Sequence, residues 1–208
     1  MHEIIKYSLS AFLLGLMAGI SPGPILMLII SETLKHDKKE GIRIAMVPLI
    51  TDLPIVIASV ILISRLSSFN NVLGVISILG ALFIIYLAYE NIVYSGNRKA
   101  GKNSNLKPAV KGIIANFLSP YPYLFWMLIG APSIIRAYEL NPLASILYVI
   151  IFYLLLVGSK IIIAIAVHHS KNLINTSVFI YTIKILGIIL IVFAGLMTIE
   201  GFNLLSLN

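Results

Sequence analysis

Two charged residues, Asp52 and Lys160, lie deep inside long apolar stretches of the sequence. At the rise of an α-helix, Asp52 is about 13 Å and Lys160 about 12 Å from the more basic end of its stretch. Charge is costly inside a membrane helix, so the two side chains should pair or face a wet cavity. They could form a structural salt bridge, or they could handle a solute or a proton. The long stem of Lys160 could also carry its ammonium group towards the membrane surface.

Two Ser-Pro-x-Pro elements are the second chemical feature of the sequence. A proline inside a helix removes a backbone hydrogen bond and clashes with the carbonyl one turn earlier, so each element should interrupt or strongly bend its helix. In lipid, the freed backbone groups must be satisfied by neighbouring helices, side chains, water or a substrate. Kinks used only for packing are the alternative, but two matching breaks favour a transport site. The candidate residues are Ser21, Pro22, Gly23, Pro24, Ser119, Pro120 and Tyr121.

Further polar and aromatic residues accompany the second element. Asn116 lies three residues before Ser119, on nearly the same helix face, and could serve a substrate or the broken segment. Three aromatic residues could line a pathway or could pack against the bend: Tyr121, Tyr123 and Trp126. Three carboxylates near segment ends are predicted to be interfacial: Glu32, Glu90 and Glu200.

The composition indicates what surrounds these residues. The 208-residue chain is 59% hydrophobic and 11% charged, with a mean hydropathy of +1.01, whereas soluble domains carry about 25% charged residues. So much apolar side chain needs lipid as its solvent. The net charge of +7 is concentrated in short loops, which is typical of a membrane protein and does not indicate a nucleic-acid partner. The absence of cysteine excludes thiol chemistry.

Six apolar segments are each close to the roughly 20 residues that cross a bilayer. They are Ile4–Leu34, Ile42–Ile63, Val72–Val93, Ala109–Ile135, Leu143–Val167 and Val178–Ile199. A cleaved signal peptide is the alternative for the start of the first segment. We reject it because apolar sequence continues past the break and because the fourth segment repeats the pattern.

The distribution of Lys and Arg predicts the orientation in the cytoplasmic membrane. Ten lie in the loops on one side, at positions 35, 38, 39, 43, 98, 99, 102, 107, 111 and 171, against Lys6, Arg65 and Arg136 on the other. The ten-residue side should therefore be cytoplasmic, with both termini outside.

An internal repeat is visible in three matches. Residues 20–26 match 118–124, Thr51-Asp52 aligns with Ser159-Lys160, and 78–80 match 185–187, at offsets of 98, 108 and 107. The growth in offset fits a longer loop at Pro132–Pro142. Because each copy has three helices, the second must enter from the opposite side. We therefore predict an all-α integral membrane protein of two inverted three-helix repeats, 1–95 and 109–208, joined by a basic cytoplasmic linker, 96–108.

These features resemble the LysE/RhtB-type amino-acid exporters over nearly the whole chain. The similarity lies in residues 15–24, the basic loop 35–43, Asp52, residues 79–83 with 86–87, and residues 112–120. The family's second motif commonly reads Asn-Pro-Lys, whereas this chain has Ser119-Pro120-Tyr121, and its first motif is often followed by Asn, where this chain has Ile25. The resemblance implicates Pro22, Gly23, Pro24, Asp52, Asn116 and Pro120.

The sequence thus predicts a secondary transporter that exports amino acids or related small solutes by alternating access, coupled to an ion gradient. It predicts neither an enzyme nor a cofactor, and its expected partners are a small-molecule substrate and the lipid bilayer. A divalent-metal exporter is the alternative, although Asp52 and Asn116 are the only obvious deep ligands. The oligomeric state is left open, a homo-oligomer included.

Overall fold

The computed structural model describes residues 2–62, 69–93, 106–170 and 176–206, which are almost entirely helical and contain no strand. Ten α-helices follow in order: α1 His2–Ile20, α2 Pro24–Lys35, α3 Lys38–Ala45, α4 Pro48–Leu62, α5 Phe69–Ile92, α6 Pro108–Phe117, α7 Pro120–Phe125, α8 Ala131–Leu140, α9 Pro142–Ser170 and α10 Thr176–Ser206. A π-helical turn, Trp126–Gly130, joins α7 to α8. Five of the basic residues used to predict the orientation lie outside the described residues, at positions 65, 98, 99, 102 and 171. Most of the predicted linker 96–108 also lies outside them.

The helices form spans long and apolar enough to cross a bilayer. Four are continuous apart from short turns: Lys38–Ser59, Gly74–Ile92, Pro142–Ser170 and Ile180–Ser206. Two more are bent pairs, in which α1 meets α2 at 56° and α6 meets the helix beginning at Pro120 at 51°. Counting each bent pair as one span gives the predicted six, with the breaks in the first and fourth.

Proline begins five of these helices, at positions 24, 48, 108, 120 and 142. The first residue of a helix has no intrahelical partner for its amide, and the fixed φ of proline suits that position. These five prolines therefore begin the shorter helices into which the apolar segments are divided, and each occupies a position whose amide would have no intrahelical partner.

The predicted loop Pro132–Pro142 is wrong. Helix α8 continues to Leu140, and Asn141 alone separates it from α9. Pro132 is tolerated because it lies in the first turn of α8, directly after the π-helical turn. Asn141 then starts α9, because its side-chain oxygen accepts a hydrogen bond from the amide of Leu143 at 2.9 Å.

The spans pack across the two halves of the chain. Helix α1 packs on α9, α4 on α6 and α7, and α5 on α10. Glycine permits close approach at the α1–α9 interface and at a further contact, between α5 and Leu118. A methyl group at Gly15 would lie 2.5 Å from the carbonyl oxygen of Phe152, and one at Gly80 would lie 1.9 Å from that of Leu118. Helix α5 therefore lies directly against the break between α6 and α7.

The outer surface of the bundle is apolar. Large hydrophobic side chains point outward on several spans, among them Ile50, Leu128 and Ile162, each about 70% exposed. Such a surface is stable in lipid and would aggregate in water.

Candidate functional site

Both Ser-Pro-x-Pro elements break their helices, but not at the same residue. In the first element α1 ends at Ile20 and α2 begins at Pro24, with Gly23 in an extended conformation between them. In the second element α7 begins at Pro120, so that Pro122, the sequence equivalent of Pro24, lies in its first turn. Each break leaves helix-end amides and carbonyls without intrahelical partners.

Lys160 satisfies the carbonyls freed at the end of α1. Its ammonium group donates to the carbonyl oxygens of Ala18 at 2.9 Å and Gly19 at 3.1 Å. In a continuous helix the carbonyl of Ala18 would accept from the amide of residue 22, but that residue is proline and has none. The Lys160 side chain is therefore held inside the bundle and does not extend to the membrane surface.

Asp52 is surrounded by neutral hydrogen-bond donors. The side-chain amide of Asn116 donates to its Oδ1 at 2.9 Å, while the indole of Trp126 and the hydroxyl of Tyr153 approach Oδ2 at 3.5 and 3.4 Å. The Asn116 amide also donates to the hydroxyl of Thr51 at 2.6 Å. The salt bridge that the sequence left open does not form here, because the hydrogen bonds of Lys160 go to the backbone.

The π-helical turn positions Trp126 beside Asp52. Gly130, at the end of that turn, gives the indole ring its space, because a methyl group there would lie 2.2 Å from a carbon of the ring. The ring is almost fully buried. Single π-helical turns inside α-helices occur frequently at functional sites.

A cavity of about 540 Å³ lies between the two breaks. Its wall contains nine of the ten residues predicted from the sequence to bind substrate: Ser21, Pro22, Gly23, Pro24, Asp52, Asn116, Ser119, Tyr121 and Lys160. Pro120 does not line it; this residue begins α7. The sequence elements are therefore brought together in space, and their role in binding remains a prediction.

Aromatic side chains form one side of this cavity. Phe125 stacks on Phe152 with ring centroids 5.1 Å apart, and Trp126 meets Phe152 edge-on at 5.4 Å. Of the aromatic residues considered from sequence, Trp126 and Tyr121 line the cavity, whereas the hydroxyl of Tyr123 donates to the carbonyl oxygen of Phe117 at the end of α6.

Sequence reasoning missed Tyr153, the third donor to Asp52. Tyr153 lies seven residues before Lys160, which is two helical turns and therefore the same face of α9. A search of α9 for polar residues on the face of Lys160 would have found it.

A second polar cluster lies between α2, α5 and α6. The ammonium group of Lys111 contacts Glu32 at 3.3 Å and also pairs with Glu90. Lys111 and Glu32 are each only 1% exposed, so Glu32, which lies near the end of α2, is buried between helices. The carboxylate can be buried because Lys35 at 3.7 Å and His36 at 3.2 Å lie beside it on the same helix.

The described residues contain no group of three or more His, Asp or Glu side chains placed to hold a metal ion. No observation in the structure thus favours the metal exporter that the sequence left as an alternative.

The described residues thus form a helical bundle of candidate membrane spans, with a cavity between two broken spans that has one acid and one base in its wall. The sequence model of the family described as LysE type translocator matches residues 16–201, and the chain belongs to this family. No match was found among curated proteins or solved structures. The chain is therefore a multi-pass membrane transporter and not an enzyme, of a family that exports amino acids or similar solutes.

Proposed function

We propose that this protein is a secondary transporter that exports amino acids from the cytoplasm by alternating access, driven by an ion gradient. The observation that carries the proposal is the single cavity in which both helix breaks, Asp52 and Lys160 meet. Broken helices at equivalent places in two repeats are typical of substrate sites in secondary transporters.

The two charged side chains match the two charged groups of an amino acid. Asp52 would hold the ammonium group, or exchange a proton that couples transport to the gradient. Lys160 has three donors and uses two of them on backbone carbonyls, so one remains for a carboxylate. The start of α2 supports the same assignment, since the amides of Ile25 and Leu26 have no intrahelical acceptor and carry the positive end of the helix dipole.

The contacts between spans support an inverted relation between the halves 1–95 and 109–208. The first span packs on the fifth, and the fourth packs on the second, so each broken span lies against the middle span of the other half. The third and sixth spans pack on each other. An inverted repeat predicts these reciprocal pairings.

The buried cluster around Lys111 supports a closed state on the side that the basic loops indicate as cytoplasmic. Glu32 lies eight residues after Pro24, and Lys111 eight residues before Ser119, so the cluster is about 12 Å from each break. The Glu32–Lys111 pair joins the two halves. Opening the cavity to the cytoplasm would separate this pair. In the proposed orientation the basic loops and the linker 96–108 are on the cytoplasmic side of the membrane, and both termini are on the opposite side.

Efflux from proteoliposomes tests the proposal. Purified protein is reconstituted with a preloaded panel of labelled amino acids, and release is measured with and without an imposed ion gradient. We expect saturable, gradient-stimulated release, and a loss of about tenfold or more in Asp52→Asn. Asp37→Asn is the matched control, because Asp37 does not line the cavity, and its side chain, which is about half exposed and contacts His168, caps α3 through an oxygen that asparagine retains. Folded protein that releases no amino acid would refute the proposed function; equal loss in both variants would remove the role of Asp52.

A further inference from the structure

Apart from Asp52 and Lys160, the wall of the cavity is mostly apolar. Its apolar side chains include Met17, Phe125, Phe152, Leu156 and Phe193. The other polar side chains that line it in the described part of the chain are neutral: Ser21, Asn116, Ser119 and Tyr121. A charged group placed against the apolar wall would lose its water and gain no partner.

The two charged residues of the wall can pair with the two charged groups of one amino acid and with little more. The carboxylate of Asp52 already receives three neutral donors, and Lys160 has one donor left. No second acid or base among the described residues lines the cavity. A substrate with a third charge would therefore leave that charge unpaired.

The aromatic rings do not replace the missing partner. A cation can bind to an open aromatic face, but one face of Phe125 and one of Phe152 are taken up by the stacking between them, and Trp126 stacks on Tyr153 and lies edge-on to Phe152. The rings thus present a largely apolar surface. At about 540 Å³ the cavity is within the range of sites that enclose small organic ligands.

Resting on the proposed function, we infer that the exported substrate is a neutral amino acid with an apolar side chain of about the size of leucine. Its ammonium and carboxylate groups lie at Asp52 and Lys160, and its side chain lies against Phe125 and Phe152. Dibasic and acidic amino acids are excluded by the apolar wall.

Norleucine and lysine test this inference as a matched pair, because both have the same six-carbon chain and lysine carries an additional ammonium group on its last carbon. Trp126 is the single tryptophan of the chain and lines the cavity, so its fluorescence reports binding in detergent or nanodiscs. We expect norleucine to bind about tenfold to a hundredfold more tightly than glycine, and lysine about tenfold or more weakly than norleucine.

A matched pair of variants tests the wall. Phe125→Ala removes a lining ring, whereas Leu128→Ala, three residues later, removes an outward-facing side chain that is 69% exposed. We expect the norleucine-to-glycine affinity ratio to fall severalfold in the first variant and to stay unchanged in the second. If lysine is bound or exported better than norleucine, the inferred preference for apolar side chains is wrong, whereas the proposed export of amino acids still stands. Binding of no amino acid by folded protein would overturn both.

Discussion

The buried ion-pair cluster around Lys111 makes a quantitative prediction about stability. Lys111 contacts two carboxylates from other helices, Glu32 and Glu90, and is 1% exposed. Removing one partner of a buried pair leaves an uncompensated charge and costs about 3–5 kcal/mol. In Lys111→Met, Glu32 keeps Lys35 and His36 as neighbours, and Glu90 keeps a hydrogen bond from Tyr86. We therefore expect the lower end of the range, about 3 kcal/mol.

Equilibrium unfolding in mixed micelles with increasing SDS, followed by Trp126 fluorescence, measures this loss. Arg43→Met is the control, because Arg43 pairs with Glu40 on the surface and is 61% exposed; such pairs contribute at most about 1 kcal/mol. Adding Glu90→Gln to Lys111→Met should restore part of the stability, since it removes one of the two carboxylates that lose their contact with Lys111. A loss below about 1 kcal/mol in Lys111→Met, or one equal to the control, would refute the reasoning.

Three further substitutions test other parts of the structure. Lys160→Gln should abolish transport. It should also lower the free energy of unfolding by about 1–3 kcal/mol, because the carbonyls at the end of α1 lose a charged donor. A variant as stable as the wild type in the same SDS titration would contradict this. Gly80→Ala should lower the free energy of unfolding by about 1–3 kcal/mol through overpacking. Gly195→Ala is the control, because its methyl group would meet nothing within 4 Å. Similar unfolding midpoints for the two variants would refute the packing argument. Gly23→Ala should keep the free energy of unfolding within about 0.5 kcal/mol of the wild-type value, since its methyl group also meets nothing within 4 Å. The same methyl group should weaken norleucine binding by narrowing the cavity. Unchanged norleucine affinity would place Gly23 away from the substrate.

Much of the fold could be predicted from the sequence because its strongest features act on the backbone and not on particular side-chain contacts. Apolar length predicted the spans, and paired prolines predicted the two breaks, whereas the single Pro54 lies inside α4 without ending it. The loop predicted at Pro132 was wrong because a single proline does not always end a helix. Pro132 directly follows the π-helical turn, where the ordinary α-helical hydrogen-bond pattern is already interrupted.

Side-chain partners were harder to predict because they depend on how helices rotate about their axes. The sequence placed Asp52 and Lys160 at similar depth but could not show that Lys160 points to the end of α1. For the same reason Tyr153 was missed. The position of Glu32 near a segment end was visible in the sequence, whereas its contact with Lys111 on another helix was not.

Access to the cavity from both sides of the membrane is the central claim, and Gly23→Cys tests it most directly. The chain contains no cysteine, so one introduced thiol at the cavity wall is the only target for membrane-impermeant reagents added inside or outside proteoliposomes. Leu128→Cys, facing outward, serves as the unreactive control. We expect labelling of Gly23→Cys from either side, slowed by norleucine in both cases. Labelling from one side alone, or labelling that no amino acid slows, would contradict it.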